Sequence, residues 1–205
     1  MNVCLHYQNG KTFINKTKNK NTMKKALTIA AITMAGFSAK AQTPSSAAQQ
    51  QVKLTLSNAI ELTFTGNNSN KGAEVNLAFN TVNDYANGVE SAAQQLKVRS
   101  NRKFDVSVKT SSANFTYAGS VSPVPSMPVS GVLGLKVAAN GTGGTIASPF
   151  STTAYSGLSN SDAKLISNGL NGGNQTFSIA YEATPGFTYP AGTYTVDVIY
   201  TATQQ

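Results

Sequence analysis

An all-β fold of packed antiparallel sheets is what this 205-residue sequence predicts, on three observations. Apolar residues recur at every second position in short runs, the period of a half-buried strand. Between the runs stand clusters of Asn, Gly, Ser and Pro, residues whose backbone or side-chain chemistry favours turns. A sustained helical period is absent, and short strands with turn chemistry between them describe a sandwich or barrel.

Taken in order, the predicted strands begin at VKLTLS, where Val52, Leu54 and Leu56 share a face, and AIELTF, where Ile60, Leu62 and Phe64 do. The run GNNSNKG then turns the chain, and EVNLAFNTV offers Val75, Leu77 and Phe79. Next comes QLKVRSNRKFDVSVKT, with Leu96 and Val98 before a polar corner and Phe104, Val106 and Val108 after it; NFTYAG follows with Phe115 and Tyr117. Pro123, Pro125 and Pro128 exclude a central strand and predict an extended crossing between sheets.

The run VLGLKVAA presents Leu133, Leu135 and Val137 ahead of the turn NGTGG. Residues 145–174 read as a long loop with a short helical turn near Ser161 to Leu165, capped by Ser159 or Ser161. TFSIAYEA then gives Phe177, Ile179 and Tyr181. The closing run PAGTYTVDVIYTATQQ reads as one strand whose core face carries Tyr194, Val196, Val198 and Tyr200. The inventory is roughly eight to ten strands, that of an immunoglobulin-like antiparallel β-sandwich.

Charge and targeting bound the function. The chain has 16 Lys+Arg against 8 Asp+Glu, a balance that would suggest nucleic acid as a partner. From Met23, however, MKKALTIAAITMAGFSAKAQ has the basic start, apolar centre and small-x-small end of a secretory signal, predicted to be cut after Ala41. Residues 1–22 read as an over-extended gene start or a basic n-region, 23–41 as the cleaved signal, 42–51 as a flexible leader and 52–205 as a single sandwich domain. Cleavage removes seven lysines and no acid, leaving nine bases against eight acids, so the expectation of nucleic acid lapses. No second apolar run reaches 18 residues, so no helical membrane span is expected.

The same cut removes Cys4 and His6, the one cysteine and the one histidine. Ser-His-Asp and Cys-His catalysis and the usual zinc sites are thereby closed to residues 42–205. The eight acids are scattered singly, so no carboxylate pair suggests itself, and a non-enzyme without cofactor or metal is expected. Two oxygen-rich loops, with Asn83, Asp84 and Asn87 and with Asn160 and Asp162, offer one acid each, where calcium prefers several. Arg99, Arg102 and Lys103 form the one basic cluster, read as a solvated strand corner. Tyr155, Phe187 and Tyr189 fall in loops and are candidate ligand contacts, because exposed rings pair with apolar faces.

The signal, LKVRSNRKFDVSVKT and PAGTYTVDVIYTAT together resemble secreted bacterial β-sandwich surface proteins. The named groups are chaperone-usher and spore-coat-U-like fimbrial subunits and the WxL cell-wall-binding family. Gly192, fourteenth from the C-terminus, matches a pilin position; Gln204 stands where pilins often carry a penultimate tyrosine. The pilin resemblance implies an incomplete sandwich completed by a neighbour's N-terminal extension, with residues 42–57 as donor and Val52, Leu54 and Leu56 as inserted side chains. The expectation is therefore an exported structural or adhesive protein of the periplasm, cell surface or medium, a fimbrial subunit assembled by strand pairing. Its partners would be copies of itself or other surface subunits. The alternative is a cell-wall or carbohydrate-binding module of the same fold, with cell-wall glycan as partner.

Overall fold

The computed structural model describes residues 45–205, and the predicted gene start, signal and first leader residues lie outside them. A compact unit, Leu54–Gln205, holds the sheets. All pairing between its strands is antiparallel. The larger sheet is built around β3 (Gln94–Ser100), β6 (Leu133–Asn140) and β10 (Gly172–Ala183). Strand β1 (Ile60–Phe64) lies outside β3, β8 (Ser156–Gly157) outside β6, and β2 (Val89–Glu90) pairs with the end of β10.

The second sheet has the order β12 (Val198–Gln204), β4 (Phe104–Thr110), β9 (Ala163–Gly169), β7 (Thr145–Ile146). A short ribbon joins β5 (Thr116–Ala118) to β11 (Thr193–Thr195). The protein is an all-β sandwich, as its alternation predicts. Its interior is supplied by the expected faces: Leu96 and Val98, Phe104, Val106 and Val108, Leu133, Leu135 and Val137, Phe177, Ile179 and Tyr181 are all buried.

Four expectations are corrected. Residues 52–57 form no strand, and Val52, Leu54 and Leu56 are 76%, 82% and 88% exposed. The run EVNLAFNTV pairs with no strand among the described residues, and it ends in helix α1 (Val82–Asn87). The helix is started by a capping box: Asp84 N–H donates to Thr81 Oγ1 while Asp84 Oδ2 accepts from the Thr81 N–H. Those backbone bonds, from Thr81 first and then Asn80, hold the Asp84 carboxyl below the ordinary carboxylate range.

The expected helical turn near Ser161 to Leu165 is instead the start of β9, with Leu165 and Ile166 both buried. Consecutive buried residues blur a period of two, and the register of β9 on β4 shifts at that place. The closing run is two strands, not one. Thr195 pairs with Thr116 and Val198 with Thr110, so two residues of one arm stand opposite five of the other and the ladder breaks between. Ser111 spans the break: its N–H donates to Asp197 O at 2.9 Å and its Oγ accepts from Asp197 N–H at 3.2 Å.

Candidate strand-exchange seam and aromatic patch

The chain ends of the unit meet where the two sheets leave a side open. Strand β1 is the outer strand of the larger sheet and β12 of the smaller, and each is paired on one side alone among the described strands. Between them runs a groove of about 340 Å³, lined by Leu62, Phe64, Leu96, Val198, Tyr200 and Ala202 among others. An unpaired edge is a template for another strand; β12 offers one beside this groove, while the outer side of β1 is bridged at Phe64, whose N–H donates to Ser69 O at 2.8 Å.

Tyr200 crosses the seam. Its ring meets Phe64 edge to face at 6.2 Å, and its hydroxyl lies 2.7 Å from the hydroxyl of Tyr181 on β10, joining the two sheets. Burial pushes the Tyr181 phenol up to about 12, with the bond to Tyr200 acting against it. Tyr200 rises well above its ordinary value for the same reason, burial first and then Tyr181. Although the β12 edge leaves the residue half-exposed, its hydroxyl end lies inside.

At one end the seam is closed by side-chain amides. Gln204 Nε2 donates toward Ala59 O at 2.8 Å, Ser100 Oγ at 3.0 Å and Asn101 Oδ1 at 3.0 Å, three acceptors sharing two hydrogens. Asn101 in turn donates to Ser57 O at 2.7 Å and accepts from Ala59 N–H at 3.0 Å. The entering chain is thus held as far back as Ser57. Gln204, penultimate in the sequence, thus has its own task, one that periodicity does not disclose because it is a long-range side-chain bond.

Of the four residues expected on the core face of the closing strand, which are also the candidates to receive an exchanged strand, Val198 and Tyr200 line the seam, and Val196 packs half-buried against the core. Tyr194 belongs instead to the β5/β11 ribbon, where its ring lies 5.0 Å from Tyr117. Gly192 follows from that ribbon: a Cβ there would collide with the Tyr117 ring.

Two of the three predicted contact residues join a patch of rings. Phe187, 67% exposed, stacks on Tyr85 at 5.7 Å, and Tyr85 meets Phe79 at 5.3 Å. Tyr189 meets Tyr194 edge to face at 6.5 Å. Loss of water, and then the neighbouring phenols Tyr117, Tyr189 and Tyr85, push the Tyr194 phenol upward. Tyr155 stands in a different set: its hydroxyl donates to Glu90 Oε2 at 2.7 Å and Lys136 Nζ lies 4.3 Å from its ring centre. With its hydroxyl and one ring face engaged, Tyr155 is a poorer ligand contact than Phe187.

Among the described residues no three acids, histidines or cysteines converge as metal ligands, and no helix is long and apolar enough to cross a membrane. Asp162 of the second oxygen-rich loop pairs with Lys109 at 3.2 Å. Neither a protein-family model nor any curated protein matches the sequence.

Proposed function

We propose that this protein is an exported, non-enzymatic structural subunit of a bacterial surface assembly, joined to its neighbours by strand pairing. The observation that carries this reading is the seam: the outer strands β1 and β12, each paired with one strand among the described residues, beside a groove partly floored by Leu62, Phe64 and Leu96, in a chain whose residues 52–56 expose Val52, Leu54 and Leu56 at strand spacing. A strand laid into such a groove gains main-chain bonds along its length and seats alternate side chains in the core. The fimbrial resemblance of the sequence agrees with it.

The size distribution of the exported protein tests the reading. Residues 42–205 are expected to form concentration-dependent oligomers, and the same protein carrying Leu54→Asn and Leu56→Asn to remain monomeric. A monomer at every concentration, with or without the substitutions, would end it. A second reading, a glycan-binding module, is favoured by the exposed Phe187–Tyr85 stack, since apolar ring faces suit sugar faces. It requires retention on purified cell-wall glycan that falls at least fivefold in Phe187→Ala.

A further inference from the structure

Tyr117 and Tyr194 stand directly opposite one another, the central pair of the three that make the β5/β11 ribbon. Their ring centres lie 5.0 Å apart with 47° between the planes, and both residues are half-buried. Each hydroxyl is anchored to main chain, Tyr117 Oη donating to Ala191 O at 3.1 Å and Tyr194 Oη to Pro190 O at 2.9 Å. The backbone on either side is cut back to admit the Tyr117 ring, since a Cβ at Gly119 on one arm or at Gly192 on the other would collide with it. Two phenols are thus held ring to ring by both arms of the ribbon.

A cross-strand aromatic pair contributes packing, but a pair of phenols also carries chemistry. Cysteine and methionine are the usual targets of oxidation. Residues 45–205 contain no Cys and no Trp, and their one methionine, Met127, is buried. The phenols are left as the readiest electron donors. Tyr189 meets Tyr194 at the longer distance of 6.5 Å, and Tyr181 and Tyr200 meet end to end through hydroxyls turned away from water. The ribbon pair therefore combines the closest tyrosine rings among the described residues with access to a reagent in solution.

We infer that Tyr117 and Tyr194 are the site of an oxidative cross-link, a bond between ring carbons that flank their hydroxyls, made by a peroxidase at the expense of hydrogen peroxide. Each phenol gives up one electron and its hydroxyl proton, and one peroxide, taking two of each, becomes two molecules of water. The two phenoxyl radicals join through one Cε carbon apiece. The hydrogen on each joined carbon then passes through water to its own oxygen, which restores both rings and both hydroxyls. The product closes residues 117–194 into a covalent loop. Like a disulfide, such a closure restricts the unfolded chain, and residues 42–205 have no cysteine with which to make one. It also fixes the root of β12, and it holds whether or not the protein assembles.

Treatment of dilute residues 42–205 with hydrogen peroxide and a haem peroxidase tests this. The main product is expected to be a monomer lighter by two hydrogens, with dityrosine fluorescence, whose digest contains one joined pair of peptides linking Tyr117 to Tyr194. Tyr117→Phe and Tyr194→Phe should each lower that fluorescence about tenfold or more, and Tyr155→Phe should leave it unchanged. The joined protein should melt about 4 °C or more above the untreated one. Bonds formed solely between molecules, a junction mapped to another pair, or undiminished fluorescence in Tyr117→Phe would overturn the inference. So would oxidation of the unaltered protein that adds oxygen to its tyrosines and joins no rings.

Discussion

The middle of the larger sheet and the seam at its edge obey different rules. In β3, β10 and β6, a residue that alternates inward is also paired on both sides, so Leu96, Phe177 and Leu135 are buried in a complete ladder. At the seam the two properties separate. Strand β12 is paired on one side and half-buried, and Val75 and Leu77 are half-buried in a segment, residues 73–79, whose backbone pairs with no other backbone among the described residues. Burial and pairing are independent sources of stability, and only the centre of this sandwich draws on both.

The largest expected effect comes from removing a side chain where both coincide. Phe177 is 1% exposed, and Phe177→Ala is expected to cost about 3–5 kcal/mol through lost transfer energy and the cavity left behind. Phe64, half-buried at the seam, has less to lose, and Phe64→Ala should cost about 1–2 kcal/mol. Urea unfolding of both variants measures the contrast. Equal losses would mean that the seam is packed as tightly as the centre.

A second effect separates the regions by pH. The Tyr181 phenol is held at about 12 by burial, against about 10 in an unfolded chain. The folded state keeps its proton where the unfolded state gives it up, so this stability is complete below pH 10 and is lost as pH rises toward 12. The span of two units corresponds to roughly 3 kcal/mol. Because Tyr200 is raised as well, its loss adds to the same limb. Denaturant midpoints between pH 9 and 11.5 should fall steeply in the unaltered protein and less in Tyr181→Phe. A flat profile would show that water reaches the Tyr181–Tyr200 bridge through the seam.

The sequence discloses these regions unequally, and the separation of burial from pairing explains why. Alternation reports which side chains face the core, and it located Leu96, Phe104, Leu135 and Phe177 correctly. It is silent about hydrogen bonds, so EVNLAF reads as a strand although residues 73–79 have no backbone partner among the described residues. It also reads VKLTLS as half-buried although Val52, Leu54 and Leu56 are exposed. The helix α1 was open to detection, since Thr81 and Asp84 stand at the capping-box spacing. The break in the closing strand was not: it arises from three surplus residues in the opposite arm, at Ser111 to Phe115, a mismatch visible only once the arms are paired.

The smallest effect probes how the seam is held at its closed end. Gln204 joins β12 to Ala59, Ser100 and Asn101 through one amide group, so Gln204→Ala removes the side-chain link between the two edges without touching the apolar floor. Part of the site is open to water, which replaces lost bonds, and a net cost of about 1 kcal/mol is expected. The telling readout is local. Exchange of the Asn101 amide, which donates to Ala59 O at 3.2 Å, should quicken, while amides of β10 stay unchanged. If β10 quickens equally, the closed end supports the whole sandwich and the seam is no weaker than the centre. If Asn101 alone responds, the edges open independently of the core, as the proposed assembly by strand pairing requires.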